Sequence, residues 1–175
     1  MKTFMLTIIA CIGFNMLCLA QWESDKSSIS ADWETYPQKE FDADTCCWRK
    51  LANEQQYQQA AAAITLYLFS HKKKKVNWHS LNWHAGQMYA KAGLNKLAKV
   101  HFKNTYSIFY KWFGNTDAKT WYYYAKGTEA FLDGEKNRLE HILHIWEKHY
   151  PLDKNYQALQ KLLDNWGEDY VTATL

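Results

Sequence analysis

Gly86 and Gly93 stand seven residues apart, and the same pair recurs 41 residues later as Gly127 and Gly134. Glycine is disfavoured inside a helix, but it permits close helix contact and supplies the left-handed residue that ends many helices. Each pair therefore marks a helix and the turn after it, and the repeating unit is a helical hairpin. The chain spends only seven Gly and two Pro on 175 residues, too few turn formers for a sandwich or barrel of many β-hairpins. With 47% hydrophobic residues it is also too apolar for low-complexity disorder. One all-α domain with a packed core is the expectation.

The remaining breaks place the other helices. Asp42, Asp44 and Thr45 read as a capping region for a short helix to Asn53, and a second helix covers residues 54–69, with Ala60 to Ala63 allowing close approach. The run Lys72 to Lys75 reads either as cations at the negative end of that helix or as a patch for an anionic membrane or partner. Further helices are expected over 76–92, 94–112, 116–132 and 135–149, with Pro151 ending the last. Asp153 opens a terminal helix to Trp166, and residues 168–175 read as a frayed tail.

The N-terminus carries an address. Met1-Lys2, an apolar stretch over 4–19 and the exit Cys18-Leu19-Ala20 have the layout of a secretory signal peptide cleaved after Ala20, which implies a periplasmic or secreted protein. The alternatives are a retained anchor, short against about 30 Å of hydrocarbon, and acylation at Cys11, which would leave an apolar start. Residues 1–20 are thus the signal peptide, 21–40 a flexible leader and 41–175 the folded domain. After cleavage no stable membrane insertion is expected. The formal net charge of +3 gives no reason to expect nucleic-acid binding. Only Cys46 and Cys47 then remain, adjacent to each other; they read as two unpaired thiols, a strained vicinal disulfide or an intermolecular link.

In the first unit the spacing Gly86-x2-Tyr89, Gly93, Ala98-x3-Phe102 resembles the tetratricopeptide repeat. In the second, Gly127, Gly134 and Pro151 match that family's glycine and closing-proline positions, and Tyr57-x2-Ala60-x3-Ile64 is a fainter copy upstream. The resemblance covers residues 41 to 166. It implies about three tetratricopeptide-like helical-hairpin units plus a C-terminal capping helix, with a concave surface that holds an extended peptide or a partner's helix. The spacings of 38 and 41 residues exceed the family's usual repeat of about 34, Leu139 stands where a small residue is expected, and the upstream copy lacks both glycines.

Helical geometry places Trp83 about 200° from the stripe formed by Leu81, Ala85, Met88 and Tyr89, with Gln87 beside it. Trp121, Tyr124, Thr128 and Phe131 share one side of their helix. Two readings compete. These rings pack between repeats, or, with Gln87 and Arg49, they line an aromatic groove for a partner. Other chemistry is sparse. His79 and His84 lie about 140° apart and cannot chelate one ion, whereas His141 and His144, about 60° apart, could pinch zinc weakly or simply be solvated. No cofactor, metal or catalytic residue is assigned. The leading expectation is an exported, non-enzymatic protein- or peptide-binding module. The alternatives are a periplasmic toxin-neutralising, immunity-type protein, and an enzyme dependent on metal or on the Cys46 and Cys47 thiols.

Overall fold

A computed structural model of the chain describes residues 31–71, 75–150 and 153–175. Every regular element among them is helical, and no strand occurs. A 3-10 turn at Ala31–Thr35 leads into α1 (Gln38–Phe41), α2 (Cys47–Asn53), α3 (Tyr57–Ser70), α4 (Trp78–Lys91), α5 (Asn95–Lys103), α6 (Ile108–Phe113), α7 (Thr116–Leu132), α8 (Lys136–His149), α9 (Lys154–Asp164) and α10 (Tyr170–Thr174). No helix among the described residues is long and apolar enough to cross a membrane. The signal-peptide region, residues 21–30 of the leader, Lys72 to Lys74 and Pro151 lie outside the described residues.

Adjacent helices are the packing partners. α2 packs on α3, α3 on α4, α4 on α5 and α7 on α8, while α9 lies against both α7 and α8. Gly93 and Gly134 adopt φ of +74° and +70°, a region open to glycine at no steric cost. The amides that follow them close the two helices alike, Leu94 N–H on the Tyr89 carbonyl and Glu135 N–H on the Ala130 carbonyl. Gly86 and Gly127 meet a different requirement: a Cβ at Gly86 would enter the ring of Phe102, and one at Gly127 would enter Leu159. The first contact closes the α4–α5 hairpin, whereas the second joins α7 to α9. The two glycine pairs are therefore equivalent in their turns but not in their packing. Ala60 to Ala63 are all buried and bring α3 close to its neighbours.

Several boundaries differ from the sequence reading, each for a local reason. The helix expected over 94–112 is two helices, because Thr105 and Ser107 bond to the backbone at the break. Thr105 Oγ1 donates to the Phe102 carbonyl (2.7 Å), and Ser107 Oγ accepts from Phe109 N–H to cap α6. The second helix starts at Tyr57 rather than residue 54, since Gln55 takes a left-handed φ of +60°. The part of the leader from Ala31 onward is packed onto the fold. Its 3-10 turn contacts α3, Glu34 accepts from the Ser70 hydroxyl and the Tyr36 carbonyl from that of Tyr67, whose ring stacks at 3.9 Å on Phe41, the fully buried first residue of the expected domain. The C-terminal residues expected to fray instead form α10, with Tyr170 and Ala173 buried.

Gly86→Ala tests the packing. Alanine gains about 1 kcal/mol of helix propensity, but it must displace the buried Phe102 ring, an overpacking cost of roughly 1–3 kcal/mol. A lower urea midpoint with an unchanged slope is the expected outcome, followed by circular dichroism.

Candidate functional site

The side chains singled out as a groove fall into three places. Trp83, on α4, is 6% exposed and sits at the junction of the two hairpins. Its ring meets Phe102 of α5 at 4.6 Å, the edge of Trp121 at 4.7 Å and Tyr124 at 4.8 Å, the last two on α7. Trp121 is itself pinned, its indole N–H donating to the Thr105 carbonyl at 3.0 Å. Thr128 is fully buried and donates to the Tyr124 carbonyl. Trp83 and Thr128 are thus interior packing, not groove lining. The correction has a physical cause: a large ring facing away from one core stripe is buried by the next hairpin, which gains the whole apolar face of the ring.

Arg49 and Gln87 come together elsewhere, around a depression of about 260 Å³ that Asp44, Trp48 and His84 also line. Arg49 donates from Nε to the Asp42 carbonyl at 2.8 Å and lies over the Trp48 ring at 4.4 Å. Trp48 stacks on His84, whose Nδ1 is 3.1 Å from Gln87 Oε1. Burial pushes the His84 imidazole below its ordinary value, opposed by the Gln87 contact and assisted by the neighbouring Arg49. The Gln87 side chain also reaches the Tyr170 hydroxyl of α10. Phe131 belongs to the third place, a cavity of about 450 Å³ bordered by Asn95, Phe131, Trp166, Glu168 and Tyr170. Three helix ends meet there, at Gly93, Gly134 and Gly167.

Two buried polar networks tie the helices together. Asn82 of α4 is 1% exposed; it donates to the Trp78 carbonyl, and its Oδ1 accepts from Asn104 Nδ2 and His101 Nδ1, both at 3.1 Å. His101 Nε2 faces Thr65 Oγ1 of α3 at 3.3 Å. Burial drives the His101 imidazole from 6.5 down to about 4. In the second network the buried Glu129 carboxylate accepts from the Tyr106 hydroxyl at 2.6 Å and from Lys126 at 3.0 Å, with Arg138 at 3.8 Å. Asp133 pairs with Lys99 and brings α5 into the same group of charges.

His141 and His144 are exposed on α8, and among the described residues no three His, Cys, Asp or Glu side chains gather as a metal site. Cys47 is buried, and that burial, reinforced by the Cys46 side chain, pushes its thiol well above the ordinary range. Thiolate is the reactive form of cysteine, so this environment works against nucleophilic use.

Two features escaped the sequence reading. One is α10, whose Asp169 cap was legible as Asp-x-x-Thr but was read as part of a tail; the carboxylate accepts from Thr172 N–H at 2.9 Å. The other is α6, where Ile108-Phe-Tyr-Lys-Trp-Phe113 is apolar on all sides in a segment too short to be enclosed.

Truncating Trp83 should act on folding first. Trp83→Ala is expected to cost roughly 3–5 kcal/mol, read as a lowered urea midpoint. His101 gives a pH signature of known sign. Below pH 6.5 the unfolded chain takes up a proton that the folded chain refuses until about pH 4, so stability declines as pH falls through that window and is unaffected by this group above it. In urea titrations His101→Gln should flatten the slope between pH 6.5 and 4. No protein family, no curated protein and no solved structure matches this chain.

Proposed function

We propose that the chain is an exported helical-repeat module, tetratricopeptide-like in architecture, that binds a peptide or partner helix between α4 and α7 and performs no chemistry of its own. One observation supports the reading: the chain's own C-terminal turn, a short helical peptide, lies against the surface where we place this channel. After Gly167, at φ +98°, the backbone reverses, and α10 lies against α4 and α9. Tyr170 is 5% exposed, its ring 6.3 Å from Phe131 and its hydroxyl beside Gln87, and Ala173 is fully buried. A single helical turn with an aromatic residue and a small residue three positions on is thus what this surface accepts.

Five residues of helix make a weak plug. Such a short terminal element opens at low free-energy cost, so a partner offering the same pattern over a longer helix can displace it. The hairpin order and the glycine turns support the family likeness, while the packing of Gly127 on α9 and the 41-residue spacing mark its departures. Export rests on the N-terminal charge and hydropathy pattern. Gln87, Tyr124 and Phe131 are the positions through which the channel would read its partner, while Arg49 lines the separate depression beside Trp48.

The experiment removes residues 168–175 and adds them back in trans. The truncated chain should keep its helical circular dichroism and bind a labelled peptide of residues 167–175, and the peptide carrying Tyr170→Ala should bind about tenfold more weakly. The intact chain should bind the peptide poorly because its own α10 competes, and Tyr170→Ala in the intact chain should restore binding. A truncated, folded chain that ignores the peptide would sink the proposal.

A further inference from the structure

Helix α6 buries none of its residues. Phe109, Trp112 and Phe113 are 66%, 65% and 82% exposed, and Ile108 and Tyr110 are exposed as well. Its substantial contacts are with α7 alone. Yet the segment is firmly based: Thr105 is buried under Trp121, Tyr106 donates to the buried Glu129, Ser107 caps the helix, and Gly114 N–H bonds to the Tyr110 carbonyl at 3.1 Å. The rings are therefore presented on a fixed stem. Phe109 and Phe113, one turn apart, stack at 6.3 Å, and the Lys111 ammonium lies 5.1 Å from the centre of the Trp112 ring.

The occupant of this surface can be argued from three properties. Away from the side that rests on α7 the helix is apolar except at Lys111, and its exposed rings spread over more than one face, which a flat protein partner would not cover together. Immersion in a soft medium covers all of the exposed faces. The residue types are those that settle at a membrane–water boundary, where Trp and Tyr keep a polar edge hydrated while the ring body leaves water. The flanking sequence is also mostly basic: residues 95–120 contain Lys96, Lys99, Lys103, Lys111 and Lys119 against Asp117. Lys99 is paired with Asp133, and the excess of cations that remains in this segment is of the sign that anionic headgroups attract.

We propose that α6 is a monotopic lipid-binding element that docks the folded domain on an anionic membrane surface, with Phe109, Trp112 and Phe113 in the interface and Lys111 reaching up to the headgroups. Insertion to this depth requires no spanning helix. The proposal is independent of the peptide channel, since α6 contributes no residue to it.

The test uses the full chain with vesicles of equal parts phosphatidylcholine and phosphatidylglycerol whose acyl chains carry bromine. Because residues 4–19 are themselves apolar, the readout is specific to α6: the fluorescence quenched in the wild type and missing in Trp112→Phe. A quenched Trp112 component is expected, together with a loss of about tenfold in apparent affinity by the same signal when Phe109→Ser and Phe113→Ser are combined. Neither serine change removes a buried contact, so the variant should keep the wild-type circular dichroism. An unquenched Trp112, or quenching unchanged by the two serines, would overturn the proposal. So would sedimentation in which the serine variant abolishes self-association and the wild type shows no Trp112 quenching, which would assign the face to a second copy of the chain.

Discussion

The contact between Trp83 and the α7 rings holds the two hairpins in one body. Each hairpin turns at a glycine, and a small-residue contact closes the first, but neither hairpin can cover the outward ring of α4 or the side of α7 that carries Trp121 and Tyr124. Bringing Trp83 against Trp121 and Tyr124 buries both at once, and large aromatic rings contribute more per residue than any other apolar side chain. The consequence reaches well beyond the rings. Thr105 is held under Trp121, the α5–α6 break is fixed there, and α6 is thereby set out into solvent.

The same junction brings polar groups out of water. Asn82 and Glu129 are each more than nine-tenths buried, and an unpaired polar group there would cost several kcal/mol, or roughly 1–3 for a neutral amide. Each is met by several partners from different helices, so the networks specify which helices lie side by side as well as contributing stability. The neutral state of His101 is part of this arrangement. A charged imidazole would lose hydration with no carboxylate facing it, and the fold therefore loosens on the acid side.

What remains open to a partner is set by what the core has already consumed. Aromatic residues are 17% of the chain, and most of those on α4 and α7 are committed to packing. The accessible apolar chemistry is left at two kinds of place: the cavity where Phe131 and Trp166 meet Tyr170 of the C-terminal turn, and the exposed rings of α6. The proposed peptide binding rests on the first, and the proposed membrane docking on the second.

Much of the architecture was legible in the sequence. The glycine pairs determined the turns at Gly93 and Gly134, and apolar periodicity determined the core stripes, because both are local: a left-handed φ and a 3.6-residue period act within one or two turns. Periodicity also put Trp83, Trp121 and Tyr124 on faces away from those stripes, yet it could not say whether such faces meet each other or water. That outcome depends on the distance between hairpins, and only the tertiary structure decided it, in favour of packing. The same holds for the C-terminus. Asp169-x-x-Thr172 is a local capping signal, but five residues do not form a stable helix alone, and α10 exists because Tyr170 and Ala173 find a surface made by residues far away in the chain.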